Sequence, residues 1–364
     1  MKVCHLTSVH TRYDTRIFLK ECQSLASNGY KVSLVVADGL FDEYKEGVSI
    51  YDVGKTDSGR LSRFTTTTRK VYKKAIEIDA DIYHFHDPEL MPFGYLLKLK
   101  GKKVIYDTHE DLPRQLLSKP YLGNVRKKVL SFLIEKLENF FSSRFSAVVT
   151  ATPFIRERFI RLNTNSIDVN NFPLLSEFED FSVFEKRNEI CYVGGLSEVR
   201  GIYELVRSLS NLQSIKLNMA GLFNDTNFEH KVKSLSSWSK VNELGFLDRD
   251  GIRDVLSKSK IGMVTLHPIV NYMDSLPVKM FEYMASGLPI IASDIPLWKS
   301  IIQETKCGIC VDSLNPDEIA NAIHQIVNSP SKAKEMGQNG RKAVLSKYNW
   351  SIEEDKLLKL YKNL

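Results

Sequence analysis

The chain has 364 residues, 43% of them hydrophobic and 26% charged, with a formal net charge of +6. That length suits two domains of roughly 150 residues each, and the composition excludes a mostly disordered chain, a collagen-like chain and a coiled coil. No apolar run approaches the roughly 18–20 residues of a bilayer span, and MKVCHLTSVH has neither a long apolar stretch nor a small-residue cleavage site, so no secretory signal is expected and the cytoplasm is the expected compartment.

In chain order, VCHLTSV (3–9) reads as a buried strand. Asp14 to Asn28 then carries Ile17, Phe18, Cys22, Leu25 and Ala26 at helical spacing, with Gly29 as its stop. Strands are predicted at 31–38, 48–53, 81–86, 102–109 and 146–152, with helical patterns between them. Strands alternating with helices on this scale predict a parallel sheet covered on both faces. The segment 171–188 has no clean period and reads as a linker. The alternation restarts with strands at 189–195, 215–221, 241–247, 261–266, 289–294 and 308–312. The expected organisation is an α/β chain of two doubly wound, Rossmann-like domains facing a central cleft. They span 1–170 and 189–347, and a C-terminal helix, 348–364, returns to the N-terminal domain. Ligands in such sheets bind beyond the carboxyl ends of the strands.

Charge is unevenly spread. Residues 114–161 hold ten Lys or Arg against three Glu, and the remainder is near neutral. One basic face suits an anionic membrane surface or a phosphorylated substrate. Five cysteines without a secretion signal do not form a disulfide framework. Cys307-Gly-Ile-Cys310 opens a strand rather than a helix, which disfavours redox chemistry, and no second pair completes a zinc site.

The densest chemical signal lies in the second domain. Gly194 and Gly195 end a strand, where backbone amides can approach an anion, and Arg200 sits at the next helix start, where the dipole disfavours a cation unless an anion is near. Farther on, Asp274 precedes Pro277, and Lys279 and Glu282 share one face of the following helix. A loop acid, a first-turn base and a second acid one turn on suit a nucleotide-sugar clamp. In the first domain, His10, Arg12 and Arg16 follow strand one and are expected to line the cleft, with Asp14 or Thr11 capping the helix. His109 ends another strand. His84 and His86 have metal-like spacing, but Asp87-Pro88 reads more simply as a strand-to-helix turn, so no metal is expected.

These residues resemble glycosyltransferase family 4, retaining enzymes of the GT-B fold. The resemblance rests on YVGGLSEVRGI (192–202), an acid pair eight apart (274 and 282) and FEYMASGLPIIASD (281–294). HTRYDTRIF, DPEL and YDTHED look like the subgroup that builds bacterial surface polysaccharides. The resemblance implies that Glu282 holds the donor ribose, Asp274 contacts donor-sugar hydroxyls, and Arg200 holds the diphosphate. It places His109 beside the donor sugar, and Phe246 and Leu247 at the nucleobase. It implies an acceptor side at His10, Arg12, Asp14 and Arg16. Two positions depart from the family: the first acid is Asp274 rather than Glu, and Gly195 stands where an Arg is usual, with Lys279 as the substitute cation.

The implied reaction is retaining sugar transfer from a nucleotide diphosphate, UDP by preference, to a glycan or polyprenyl-linked acceptor. No cofactor or metal is expected, and peripheral contact with an anionic inner-membrane surface is expected through 114–161. Competing readings are a nucleotide-sugar 2-epimerase of the same fold and a non-catalytic nucleotide-sugar binder. A Rossmann oxidoreductase is disfavoured because strand one is not followed by G-x-G-x-x-G. Nucleic-acid binding is disfavoured by the near-neutral remainder and the lack of a groove-reading motif.

Overall fold

A computed structural model describes residues 1–55, 63–117, 123–178 and 188–364. The chain divides into two compact units, Met1–Asn171 with Ser351–Leu364, and Phe172–Trp350.

The first unit is built on β1 (Lys2–Leu6), β2 (Lys31–Val36), β3 (Glu43–Lys45), β4 (Val48–Asp52), β5 (Ile82–Phe85), β6 (Lys103–Thr108), β7 (Ala147–Thr150) and β8 (Ser166–Asp168). Their order is β3-β4-β2-β1-β5-β6-β7-β8. All pairs are parallel except β3 with β4. Val3 pairs with Val32 on one side and Ile82 on the other, so the winding reverses between β1 and β5. Consecutive burial of Leu34, Val35 and Val36 shows that both faces are covered. The Asp14 carboxylate accepts from the amides of Arg16 (2.9 Å) and Ile17 (3.0 Å), starting the expected helix. That helix opens as a wide π-turn, Ile17–Cys22, and continues as Gln23–Ser27. β3 and β8 were not expected. Each has three residues and no apolar alternation for a sequence pattern to reveal.

The helix Trp350–Lys362 belongs to this first unit from Ser351 onward. Glu353 accepts from the Asn170 amide (2.8 Å), and Leu357 and Tyr361 are wholly buried. The expected return of the C-terminal helix is therefore observed.

The second unit carries β9 (Glu189–Val193), β10 (Lys216–Ala220), β11 (Val241–Gly245), β12 (Ile261–Val264), β13 (Ile290–Ser293) and β14 (Gly308–Val311). The order β11-β10-β9-β12-β13-β14 is parallel throughout. This is the 3-2-1-4-5-6 winding, with its switch point between β9 and β12. Along β13, Ile290 and Ala292 join one core with Phe281 and Trp298, while Ile291 joins another with Ile202 and Ile323. Side chains alternate across a strand, so the two cores lie on opposite faces. Part of the expected linker belongs here. Phe172 lies 4.7 Å from Phe281 between ring centroids, and Phe178 is buried in the same core. Residues 179–187 of that linker lie outside the described residues.

Candidate functional site

In the second unit, the strand ends at the switch point assemble a cationic cradle. Gly194 has φ +134°, and its amide donates to the Ala220 carbonyl (2.9 Å). A Cβ at Gly194 would lie 2.8 Å from Lys279 Nζ and 3.2 Å from Arg200 Nη1, so glycine leaves the space that two cations share. Gly195 is likewise bordered by the Arg200 guanidinium. Gly201 has φ +68°, and a Cβ there would sit 1.8 Å from the Thr265 carbonyl oxygen. Only glycine lets the Glu198–Arg200 turn press against the end of β12 and aim Arg200 back at Gly194.

Lys279 is in the first turn of the helix Val278–Ala285. Its Nζ is buried, lies 3.7 Å from the Tyr192 ring centroid, and has no hydrogen-bond partner among the described residues. Burial, then the Arg200 guanidinium, pushes its pKa well below the ordinary lysine value, against the weaker pull of Glu282. The phenols of Tyr192 and Tyr272 flank Arg200. Two basic side chains near one point, one of them without a hydrogen-bond partner among the described residues, form a site suited to an anion.

In the first unit, a second polar cluster surrounds its switch point. Asp107 accepts a bidentate pair from Arg16 (3.1 and 3.0 Å), and its Oδ2 lies 3.3 Å from His86 Nδ1 and 3.4 Å from His109 Nε2. Arg16 holds the Asp107 carboxyl well below its usual range despite burial, with His109 adding to the effect. Glu21, facing the same guanidinium but also Asp107, is pushed well above its usual value, chiefly by burial. His10 bridges Asp14 (3.3 Å) and Asp87 (3.5 Å) and is 29% exposed at its side chain.

Two profiles match this chain. Residues 15–169 match the family model described as Glycosyltransferase Family 4, and residues 176–343 match the model described as Glycosyl transferases group 1. An uncharacterized glycosyltransferase of Methanocaldococcus jannaschii is 21% identical over 93% of this chain and 91% of its own length. The chain belongs to glycosyltransferase family 4. Among solved structures, sucrose-phosphate synthase from Thermosynechococcus elongatus superposes with a TM-score of 0.79 at 16% identity, covering 100% of this chain and 98% of that one. Anabaena HepE, solved in complex with UDP-glucose, superposes with a TM-score of 0.76 at 14% identity over 100% of both chains. The fold of this glycosyltransferase is the GT-B α/β fold that the resemblance implied.

The structure of the glycosyltransferase brings Gly194, Gly195, Arg200 and Lys279 together. Glu282, one turn beyond Lys279, is buried and accepts from Arg249 Nη1 (2.7 Å), and Arg249 also pairs with Glu177. The sequence reading missed Arg249 and Glu177. Their signal was only an Arg shortly after β11 and a Glu in the supposed linker. Asp274 closes the short helix Val270–Met273 and is half-buried. Phe246 is 79% exposed just beyond β11, whereas Leu247 packs on the core.

Two acceptor-side expectations are corrected. Arg12 does not present its guanidinium to a ligand: it is 4% exposed, clamped on Asp38 (2.8 and 2.7 Å) and paired with Glu43 (3.0 Å). Arg16 is equally buried, and its remaining amine donates to the Val169 carbonyl (2.6 Å). Both anchor the loop that follows β1, and Asp14 acts as the helix cap. Cys307 and Cys310 stay protonated thiols, since burial raises both, Cys310 to about 11. Among the described residues, two groups of side chains have metal-compatible atoms, His5, Glu21, His84 and His86, and His86, Asp107 and His109.

Proposed function

We propose that this glycosyltransferase moves a sugar from a nucleoside diphosphate donor, UDP in the first instance, to a glycan or polyprenyl-linked acceptor, with retained anomeric configuration. The observation that carries the reading is the buried, unpartnered Lys279 Nζ beside Arg200 at Gly194. HepE, of the same fold, was solved with UDP-glucose. The difficult event is departure of the diphosphate as the sugar carbon gains positive charge. Arg200 and Lys279 meet the leaving oxygens, each charge-assisted hydrogen bond supplying roughly 1.5–3 kcal/mol. The acceptor attacks from the leaving-group face, and the departing phosphate takes its proton. Glu282, oriented by Arg249, holds the ribose hydroxyls, and Asp274 and His109 take the donor-sugar hydroxyls. Phe246 and Leu247 border the base. On this reading the side-chain cations supply the charge neutralisation, so transfer is metal-independent and a chelator leaves the rate unchanged.

The acceptor side is read from the helix Asn124–Ser142. Its outward face carries Val125, Val129, Phe132, Leu133, Leu137 and Phe140, all exposed. Arg126, Lys128 and Lys136 stand beside them in solvent. Its inward face is polar: Ser131 donates to the Pro113 carbonyl (2.7 Å), and Glu138 accepts from Tyr106 (2.9 Å) and pairs with Arg158. An apolar outer face rimmed by cations suits the surface of an anionic bilayer, where a lipid-linked acceptor resides. The polysaccharide pathway rests on that acceptor class.

The test is calorimetric titration with UDP, followed by assay of UDP-sugars with and without acceptor. Nanomolar-to-micromolar UDP binding that Arg200→Ala weakens supports the reading. Turnover of a UDP-sugar without acceptor would favour epimerisation instead.

A further inference from the structure

We propose that His86 Nδ1, Asp107 Oδ2 and His109 Nε2 form a three-ligand site for a zinc ion, and that zinc bound there inhibits sugar transfer by holding His109. The site stands on its own geometry, and only the inhibition rests on the role given to His109 above.

The three atoms form a nearly equilateral triangle. His86 Nδ1 lies 3.3 Å from Asp107 Oδ2, His109 Nε2 lies 3.4 Å from the same oxygen, and the two nitrogens are 3.3 Å apart. In a tetrahedral zinc site with bonds of about 2.0–2.1 Å, the ligand atoms stand about 3.3–3.4 Å from one another. An octahedral ion with bonds of about 2.1 Å needs adjacent ligands about 3.0 Å apart. The triangle therefore suits zinc with three protein ligands and an open fourth position. Two imidazoles and one carboxylate are a donor set that zinc takes.

Protons alone do not satisfy this triangle. Arg16 pairs with Asp107 at 3.1 and 3.0 Å, so Asp107 is a carboxylate and only accepts. If both facing nitrogens carry hydrogen, neither can bond to the other. If either is bare, its lone pair faces the carboxylate at 3.3 or 3.4 Å. One cation takes a lone pair from all three atoms. The surrounding charge favours it. Asp14 and Asp87 both lie within 3.5 Å of His10, whose ring is 5.1 Å from that of His109. They add to Asp107 against the guanidinium of Arg16, which also faces Glu21.

The ligands are held from behind. Arg16 fixes the Asp107 carboxylate, His86 Nε2 lies 3.0 Å from His5 Nδ1, and His5 Nε2 lies 3.3 Å from the Tyr361 hydroxyl. A metal-bound histidine gives the hydrogen of its other nitrogen to such a partner, and zinc on His86 Nδ1 puts that hydrogen on Nε2. His86 and Asp107 are buried, while the His109 side chain is 23% exposed and gives the ion its way in. The group of His5, Glu21, His84 and His86 fits less well: its contacts range from 3.0 to 3.9 Å, and all four side chains are buried. The strand spacing of His84 and His86 therefore does not make the site. His86 finds its partners on β6 and just after it.

The test is calorimetric titration of the chelator-stripped full chain with zinc, with cobalt as a spectroscopic substitute. One zinc per chain is expected, and the intense visible bands of four-coordinate cobalt. His109→Gln changes a partly exposed side chain, and its melting curve checks the fold. It is expected to weaken zinc binding at least about tenfold. In the wild type, ¹⁵N-histidine NMR reads the site directly: zinc is expected to give metal-bound shifts at His86 Nδ1 and His109 Nε2. Zinc is also expected to inhibit transfer over the concentrations that fill the site, and EDTA to restore the rate. The metal-free chain is the transferring form, so a chelator added to it changes nothing. No zinc uptake at micromolar concentration, a six-coordinate cobalt spectrum, or equal binding by folded His109→Gln would each overturn the site. Full activity of the zinc-loaded chain would overturn the inhibition. A chain that binds zinc through His109 but transfers no sugar even when metal-free sinks the transferase reading and leaves the site standing.

Discussion

Lys279 shows how a side chain that weakens the fold can serve binding. An unpaired buried ammonium destabilises the folded state. Its pKa is lowered on folding, so between that lowered value and the ordinary lysine value of 10.5 the unfolded chain binds more protons and stability rises with pH. Lys279→Met is expected to raise stability in the absence of nucleotide by about 1 kcal/mol and to abolish the melting shift that UDP produces. A diphosphate reverses the shift, because an anion favours the protonated amine. UDP binding should therefore take up a proton, seen calorimetrically as a buffer-dependent enthalpy, and should weaken as pH rises through that window. Glu21 has the opposite sign. Its carboxyl is raised on folding, so the folded chain binds more protons above the ordinary glutamate value of 4.5, and stability falls as pH rises through that range. Glu21→Gln removes this dependence. It should gain about 1 kcal/mol over wild type by about pH 8 in urea melts, with the gap closing toward about pH 5. The sequence shows Glu21 only as a helix residue. Its importance comes from partners far along the chain. Arg12 and Arg16 were misjudged for the same reason, since an arginine after a strand reads alike whether or not a carboxylate waits 26 or 91 residues away.

At the scale of elements, the turn before the helix Ile202–Ser208 depends on Gly201. Gly201→Ala adds a methyl 1.8 Å from the Thr265 carbonyl at a positive φ. It should cost about 3 kcal/mol in denaturant melts and misplace Arg200, so that nucleotide affinity falls with stability. The helix Asn124–Ser142 makes the opposite case, since its apolar outer residues support no core. Phe132→Glu with Leu137→Glu should leave stability within about 0.5 kcal/mol and reduce co-sedimentation with phosphatidylglycerol vesicles at low salt. Equal sedimentation would sink the membrane reading. The amphipathic character of this segment was legible in the sequence. That its apolar side faces outward was not, because periodicity shows a stripe and not what covers it.

For the whole molecule, the alternation of strands and helices sufficed to read two doubly wound units, because buried parallel strands are written as dense apolar runs such as KVSLVV and PIIAS. The exchange of Phe172 and Phe178 into the second unit escaped that reading, since two aromatics in an aperiodic stretch carry no direction. At the candidate site, the Gly194–Arg200 stretch and Lys279 were legible as local deviations, a glycine pair and two bases at helix starts. Arg249 was not, because its meaning depends on Glu282, 33 residues later. The helix from Ser351 onward completes the first unit. Deleting 351–364 should therefore lower the melting temperature of the Met1–Asn171 portion by at least about 5 °C, seen as faster hydrogen exchange in β1 and β5, with the strands of Phe172–Trp350 little changed.

His5 and Tyr361 are bonded across 356 positions. At a synthesis rate of about 5–20 residues per second, the ribosome delivers the second roughly 20–70 s after the first. Throughout that interval the nascent β1 must keep its imidazole without its eventual phenol, while the whole intervening unit emerges and can fold. The half made earliest is thus the half finished latest, and during that wait it is exposed to chaperones and proteases.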